Sequence, residues 1–268
     1  MTKQTEAEGN PYVRVQRADG ILDLCLARPE KHNALVAPLA AELSAQLRAA
    51  QIDPEVRVIL LHAEGKNFCA GGDLDAFSKL YGKPPTDQHE EGRQLSELFK
   101  LGRTLEKPVI GAIQGNALGG GMGLTALCHV AVAGKSSRFG ATEIRLGLFP
   151  MVIGPLLIDA LGYRQALALA LTGRVITADE ALAMGLLHQV VEDDDILPCA
   201  RRIAEEMAGR SPVALRVGME AYVTAHEIQG PEAFAVMRAF SNVVFLSADL
   251  QEGTKAFLEK RKPRWSGR

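Results

Sequence analysis

Two glycine-rich loops, each directly after an apolar strand and before a helix, constrain this chain more than any other feature. The first spans residues 68–73 after a strand predicted at 56–62, and the second spans 115–121 after a strand predicted at 108–113. Glycine lets the backbone turn tightly or approach a ligand closely. Backbone N–H groups at such a position can face a negative or developing charge, and two that converge would form an oxyanion hole. Tight turns with close helix packing are the alternative interpretation.

The order of predicted elements indicates an α/β fold. A β-hairpin is predicted over residues 12–26 with its turn at Asp19 and Gly20, and strand, turn and helix then recur along the chain. A polar stretch at 82–92 is interpreted as a mobile loop. After Asp195 the pattern contains helices only. We therefore expect a core over residues 1–195 and a helical region over 196–268 whose apolar positions contact the core or another subunit.

Charge and composition exclude several classes of partner. The chain has 30 Lys and Arg against 32 Asp and Glu, a net charge of −2, so neither a nucleic acid nor a membrane surface is an expected partner. The 4 cysteines are scattered without a C-x-x-C spacing, the first ten residues lack a signal-peptide pattern, and no apolar run reaches membrane-spanning length. We expect a cytoplasmic protein.

Several common active sites are missing from the sequence. It contains no G-x-S-x-G elbow, no complete phosphate-binding loop and no histidine spacing typical of zinc, so no metal site is predicted. Residues 121–126 fit the dinucleotide pattern G-x-G-x-x-A, with Glu143 about 20 residues further on. Too few residues separate this segment from the next strand for the helix that such a site requires, which argues against it.

Four segments in succession resemble the motifs of the crotonase (enoyl-CoA hydratase/isomerase) superfamily. They read RPEKHNAL at 28–35, FCAGGDL at 68–74, QGNALGGG at 114–121 and FGATEIRLGLFP at 139–150, and the likeness extends over residues 12–268. The resemblance implies a crotonase-like spiral of ββα units with a C-terminal helical trimerisation region. It also implies an acyl-CoA thioester as substrate, no cofactor other than the coenzyme A of that substrate, and a homotrimer or a hexamer made of two trimers.

The same resemblance assigns the catalytic positions. The two oxyanion-hole donors would be the backbone N–H groups of Gly72 and Gly120, and the acid/base residue would be Glu143. The physical chemistry agrees, because Gly120 lies at a predicted helix start and Glu143 has mostly apolar neighbours, which would raise the pKa of its carboxyl group. A surface glutamate is the alternative interpretation of Glu143.

Substrate binding is assigned to residues around the first loop and in the last helix. The predicted contacts to the CoA ester are Lys31, Ala70, Gly71, Asp73, Leu74, Phe257 and Lys260. In this superfamily the last helix often meets the nucleotide of a neighbouring subunit. A basic, solvated C-terminal tail is the alternative interpretation of residues 255–264.

One position departs from the typical hydratase pattern. A second glutamate usually follows the triple glycine, in G-G-G-x-E-L, but Gly123 stands there. Three interpretations remain open: a hydratase with one glutamate, an isomerase with one base, or an acyl-CoA-binding homologue without catalysis. We favour the hydratase because of the likeness to a bacterial subgroup that includes methylglutaconyl-CoA-type hydratases. A substitute water ligand could come from His89, Glu90 or Glu91.

Overall fold

A computed structural model of the chain describes residues 12–228 and 230–268, without the side chain of Glu91. The predicted core therefore includes residues 1–11, which lie outside the described part. The strands are β1 (Val13–Ala18), β2 (Ile21–Leu26), β3 (Val58–Ala63), β4 (Val109–Ile113), β5 (Asn116–Leu118), β6 (Val130–Gly134), β7 (Arg138–Gly140), β8 (Ile176–Thr177) and β9 (Gln189–Val191).

The helices are more numerous than the strands. They are α1 (Ala37–Ile52), α2 (Leu74–Ser78), α3 (Pro85–Leu101), α4 (Gly120–Leu127), α5 (Gly154–Leu161), α6 (Tyr163–Thr172), α7 (Ala178–Ala183), α8 (Ile196–Ala208), α9 (Pro212–His226), α10 (Glu232–Phe245) and α11 (Ala248–Leu258). Short 3-10 helices lie at Pro29–Lys31, Glu143–Leu146 and Asp193–Asp195.

A six-stranded sheet in the order β1-β2-β3-β4-β6-β9 forms the centre of the fold. The predicted hairpin is confirmed: β1 and β2 are antiparallel, and Asp19 and Gly20 have φ values of 52° and 79° at its turn. The remaining pairs are parallel. Every residue of β2, and all but one of β3, is buried, as expected for parallel strands covered on both faces.

A second, three-stranded sheet in the order β5-β7-β8 lies beside the first. One turn of the chain contributes β4 to the first sheet, β5 to the second and then α4, and the next turn contributes β6, β7 and the helices after them. This alternation is the ββα spiral that the resemblance to the crotonase superfamily implies. Its consequence for function is that β3, β4 and β6, being parallel, all deliver their following loops to one edge of the sheet.

Two apolar cores flank the main sheet. The larger one contains Leu22, Leu24 and Ile59 of the sheet together with α1, α3, α4 and α5, while the smaller one packs Val58, Leu60 and Ile110 against the apolar face of α8. The helix α8 begins at Ile196, one residue after the boundary predicted from sequence, and it packs closely on β3, β4 and β6.

The segment predicted as a mobile loop is helical instead. Helix α3 begins at Pro85, with Pro84 as its N-cap, so the first half of the helix occupies most of residues 82–92. That half is polar on all sides and therefore lacks the apolar periodicity that identifies a helix in a sequence. Proline at the first helical position and the pair between Glu90 and Arg93 support it (2.6 Å).

The C-terminal helices leave apolar side chains in solvent. In α10 no residue is buried, and Phe234, Phe245 and Leu246 are 80%, 71% and 83% exposed. Within the described residues, no single helix is long and apolar enough to span a membrane; α10 and α11 meet that criterion only as a pair, bent by 69°.

Candidate active site

The two glycine loops meet at the carboxyl edge of the main sheet. Cys69 of the first loop donates its N–H to the carbonyl of Asn116 (3.1 Å), and Leu118 returns a hydrogen bond to the carbonyl of Cys69 (3.0 Å). The first loop thus adds to the edge of the second sheet through a parallel bridge between Cys69 and Ala117. The convergence that the sequence suggests is therefore present in the fold.

Close backbone contact explains why glycines occupy both loops. A Cβ at Gly121 would lie 2.1 Å from the carbonyl oxygen of Cys69, closer than any side chain tolerates. Gly71 has φ +107°, and a Cβ there would lie 3.2 Å from the carbonyl oxygen of Leu118. These two glycines hold the loops against each other.

The geometry of the first loop directs the N–H of Gly72 away from Leu35, the residue with which Gly72 forms a parallel bridge. Leu35 donates to the carbonyl of Gly71 (2.7 Å) and accepts from the N–H of Asp73 (3.0 Å). In this parallel bridge between Leu35 and Gly72, the N–H of Gly72 points to the opposite side. It forms no hydrogen bond to any residue that the structure describes.

The second donor lies at the start of a helix. Gly120 is the first residue of α4, so its N–H has no partner within the helix, and none outside it among residues 12–228 and 230–268. The helix dipole adds a partial positive charge at this end. Two backbone donors, Gly72 and Gly120, are thus free to bind an oxyanion from adjoining loops.

Glu143 reaches the same place from the second sheet. Strand β7 pairs with β5, and Gly119 donates to the carbonyl of Gly140 at the end of β7 (2.7 Å). The 3-10 helix that begins at Glu143 follows directly. A Cβ on Gly119 would lie only 3.2 Å from Oε1 of Glu143, so the carboxyl group faces the start of α4 without a side chain between them.

The carboxyl group of Glu143 is in a dry environment. Its Oε2 is shielded from solvent and has no hydrogen-bond partner among the described residues. Burial raises the pKa of Glu143 above the ordinary value of 4.5, opposed only by a hydrogen bond from its own backbone. An oxygen left free beside two unused N–H donors is the arrangement expected of a proton-transfer residue.

Apolar side chains fill the space at Gly123. A Cβ at this position would lie 2.4 Å from Cγ2 of Ile153 and 2.8 Å from the ring of Phe99. Both residues are buried, at 3% and 4% exposure. The absence of a second glutamate in the sequence is therefore matched by packing that leaves no room for one.

The residues predicted to bind substrate around the first loop form two groups: Asp73, which stabilises the loop, and Lys31, Ala70, Gly71 and Leu74. Asp73 caps α2 by accepting from the N–H of Ala76 (3.0 Å), and its other oxygen pairs with Arg28 (2.7 Å). The pKa of Asp73 is lowered, because these hydrogen bonds and the Arg28 charge outweigh the effect of burial. Its carboxylate thus braces the loop from within.

The second group consists of Lys31, Ala70, Gly71 and Leu74. Ala70 is held by a hydrogen bond to the carbonyl of His32 (3.0 Å). Lys31 pairs with Asp75 in solvent (2.7 Å), and Leu74 is 56% exposed. Ala70, Gly71 and Leu74 are thus near Gly72 in the chain, and Lys31 is held to the adjoining helix α2 through Asp75.

The C-terminal candidates lie in the last helix and directly after it. Phe257 is 84% exposed on α11, and Lys260 follows that helix with φ +54°. No hydrogen bond or ion pair in the described part of the chain joins either residue to the glycine loops.

The described side chains of His89 and Glu90 on α3 form no hydrogen bond or ion pair with Glu143. Glu90 pairs with Arg93, His89 is exposed, and the side chain of Glu91 lies outside the description. Among the described residues, no group of three or more His, Cys, Asp or Glu side chains is arranged to hold a metal ion.

Four apolar residues pack beside the glycines of the site, and of these only Phe99 carries no recognisable signal in the sequence. Leu35 and Phe99 pack beside Gly120, where a Cβ would lie 2.5 Å and 3.7 Å from them, and Phe77 lies 2.4 Å from the Cβ position of Gly72. Ile153 completes the set at Gly123. They are ordinary apolar residues on separate elements, so only the fold shows that they meet.

Comparison with known proteins places this geometry in a family. The model of the enoyl-CoA hydratase/isomerase family matches residues 16–268. The chain belongs to the enoyl-CoA hydratase/isomerase family. It is 34% identical over 266 residues to the enoyl-CoA hydratase EchA19 of Mycobacterium tuberculosis, covering 97% of this chain and 98% of the relative.

Two further comparisons agree with this membership. Over 255 residues this enoyl-CoA hydratase/isomerase family member is 34% identical to the 2,3-dehydroadipyl-CoA hydratase of Escherichia coli, covering 95% and 98% of the two chains. The crystal structure of an enoyl-CoA hydratase from Bacillus anthracis superimposes with a TM-score of 0.90 at 31% identity, covering 96% and 100%. The crotonase-type fold expected from the motifs is thereby confirmed.

Proposed function

We propose that this protein is an enoyl-CoA hydratase that adds water to the α,β double bond of an acyl-CoA thioester. The observation that carries the proposal is the half-buried carboxyl group of Glu143, which has one shielded, unpartnered oxygen and faces the glycine loops whose N–H groups at Gly72 and Gly120 are unused. The hydratase names of its relatives support the same reaction.

In the proposed reaction, the N–H groups of Gly72 and Gly120 bind the thioester oxygen. Glu143 accepts a proton from water as the hydroxyl oxygen bonds to the β carbon, and the electrons of the double bond move onto the thioester to give an enolate. The protonated Glu143 then donates that proton to the α carbon. Removing one such donor typically lowers the rate about a hundred- to a thousandfold.

Every atom in this scheme comes from the thioester, the water and Glu143. We therefore propose that no separate cofactor takes part and that coenzyme A enters only with the substrate. All four cysteines are in the described part of the chain and are free thiols, which supports a reducing, cytoplasmic location.

We further propose a homotrimer, or a hexamer of two trimers, with C-terminal helices that cross between subunits. The support is the apolar surface of α10 and α11, which the single chain leaves uncovered. In such an assembly Phe257 and Lys260 contact the CoA of a neighbouring subunit, while Lys31, Ala70, Gly71 and Leu74 contact it within their own subunit and Asp73 holds the loop.

Isomerisation is the second candidate, and the filled space at Gly123 favours it. With one carboxylate, Glu143 removes a proton from the α carbon of a 3-enoyl thioester and returns it to the γ carbon, which moves the double bond into conjugation without water. Both reactions use the same oxyanion hole. They differ in whether water enters beside Glu143.

The test compares wild type, Glu143→Gln and the exposed control Glu55→Gln on 2-enoyl-CoA and 3-enoyl-CoA esters. Hydration of the first substrate, reduced about a thousandfold or more in Glu143→Gln with acyl-CoA binding retained, supports the hydratase. Conversion of the second substrate to the conjugated thioester, without hydration, supports the isomerase. Binding with no turnover of either ester by wild type would leave only a non-catalytic acyl-CoA-binding protein.

A further inference from the structure

The neighbours of Gly123 lie close to the glycine that faces the Glu143 carboxyl group. The N–H of Gly123 bonds to the carbonyl of Gly119 (3.1 Å), so Gly123 lies one helical turn, about 5.4 Å, beyond the glycine that faces the Glu143 carboxyl group. At Gly123 the neighbouring atoms belong to Ile153 and Phe99. Ile153 and Phe99, here called the apolar wall, therefore lie about one helical turn beyond the glycine that faces Glu143.

This wall is continuous with the oxyanion hole and is rigid. The ring of Phe99 borders the Cβ position of Gly120 at 3.7 Å as well as that of Gly123 at 2.8 Å. Phe99 belongs to α3, which packs along α1, and Ile153 is the N-cap of α5. Because both side chains are buried in the main core, neither can move aside without leaving a cavity.

A third apolar side chain borders the other donor. The ring of Phe77 lies within 2.6 Å of the Cβ position of Gly72 through two of its atoms. Phe77 is half-buried on the five-residue helix α2, which has no buried residues of its own. A phenyl ring therefore lies beside each oxyanion donor. Phe99, fixed in the core, lies beside Gly120, and Phe77, on a short helix without buried residues, lies beside Gly72.

We propose that Phe99, Ile153 and Phe77 restrict the substrate to a short, uncharged acyl group. The inference rests on the proposed function, because the acyl-CoA ester is what brings the chain against the wall. An extra methylene against a filled apolar surface lowers affinity by roughly ten- to a hundredfold once no free volume remains. A terminal carboxylate is rejected more strongly, because none of the three side chains can hydrogen-bond to it.

Binding of saturated acyl-CoA esters tests the inference without requiring turnover. Calorimetric Kd values are measured for butanoyl-, hexanoyl-, decanoyl- and adipoyl-CoA with wild type, Phe77→Ala and Ile153→Ala. The control is Ile110→Ala, which removes an equally buried isoleucine from the core on the other side of the main sheet. Ile110→Ala should lower the free energy of unfolding as Ile153→Ala does, but it leaves Phe99, Ile153 and Phe77 in place.

For wild type we expect butanoyl-CoA to bind at least about tenfold more tightly than decanoyl-CoA, and adipoyl-CoA to bind weakest. Ile153→Ala should tighten decanoyl-CoA binding relative to butanoyl-CoA about tenfold, Phe77→Ala should do so to a smaller extent, and Ile110→Ala should leave the ratio unchanged. Equal binding of short and long esters by wild type, or the same ratio in all variants, overturns the inference. Both results come from binding measurements and do not depend on turnover. Failure of the hydratase proposal would appear only in the turnover assay, so the two failures can be distinguished.

Discussion

Glu143 combines two properties that oppose each other in a folded protein. Its carboxyl group is half-buried with an unpartnered oxygen, which lowers stability, and it stands beside two N–H donors that the fold leaves unused. A structural role would not leave all three groups without partners. Binding of a thioester would supply the partners of all three at once.

The pH dependence of turnover should report the environment of Glu143. As a base, Glu143 must be ionised, and burial raises its pKa above 4.5. We expect the acidic limb of the kcat/KM profile to have its midpoint above pH 4.5, with activity lost as the pH falls through the raised pKa. Spectrophotometric assays from pH 4 to 9 measure kcat/KM. A midpoint at or below pH 4.5, the ordinary pKa of glutamate, would contradict the assignment of Glu143 as the base.

A side chain at position 123 should destabilise the protein. In Gly123→Ala the new Cβ would overlap Ile153 at 2.4 Å, and overpacking of this kind lowers the free energy of unfolding by roughly 1–3 kcal/mol. The matched control is Gly92→Ala in α3, where a Cβ meets nothing within 4 Å and helix propensity should add about 0.5–1 kcal/mol. Urea denaturation measures the free energy of unfolding of both variants. A Gly123→Ala variant as stable as wild type, or more stable, would show that Ile153 and Phe99 can move aside.

At the scale of elements, a buried polar cluster joins β2, β3 and α8 on the side of the sheet away from the site. Asp23 accepts from His62 (2.6 Å) and from Arg201 (2.5 Å), and Cys25 lies beside His62 in the paired strands. Burial alone would lower the pKa of His62, but the hydrogen bond and charge of Asp23, with Cys25, raise it to about 9. The cluster is therefore charged at neutral pH and fastens α8 to the sheet.

This cluster predicts a loss of stability in mild alkali. The stabilisation from protonated His62 is complete below its unfolded pKa of 6.5, decreases as the pH rises, and is gone above about 9. The loss should be on the order of 1–3 kcal/mol in wild type. It should be absent in His62→Gln. Urea midpoints at pH 6 and pH 9.5 measure it.

His188→Gln is the matched control for that measurement. Burial lowers the pKa of His188 below 6.5, and its Nδ1 accepts the N–H of Ala131, so this histidine is mostly neutral above pH 6.5. Its replacement should lower stability equally at both pH values and leave the alkaline loss intact. A His62→Gln variant that still loses stability between these two pH values would assign the effect to another group.

At the scale of the whole molecule, the uncovered apolar side chains of the C-terminal helices predict self-association. We expect wild type to sediment as a trimer or hexamer and Phe245→Asp, at a position 71% exposed, to dissociate and to bind CoA esters more weakly. Ile52→Asp, at an exposed position (87%) in α1, is the control and should leave the assembly unchanged. A monomeric wild type at micromolar concentration would contradict the proposed assembly.

Local patterns of glycines and strands predict the α/β class, the hairpin and the meeting of the two glycine loops, whereas the ββα spiral is predicted from the resemblance to the crotonase superfamily. The apolar segments 74–81 and 151–157, which contain Phe77 and Ile153, are predicted from the sequence to line an acyl pocket, but their arrangement is not, and Phe99 carries no such signal. Phe99, Ile153 and Phe77 are apolar residues of kinds found in every core, and their role depends on long-range packing. The same holds for the first half of α3, whose polar residues lack the periodicity on which recognition of a helix depends.

The packing around Gly123 also constrains the order in which this chain could change over evolutionary time. A glutamate arriving first at position 123 would collide with Ile153 and Phe99 and would leave a poorly folded protein on which selection acts. A smaller residue must replace Ile153 or Phe99 beforehand, and that change brings no catalytic advantage alone. The neighbours of Gly123 therefore make a second carboxylate depend on a prior change at residue 153 or residue 99.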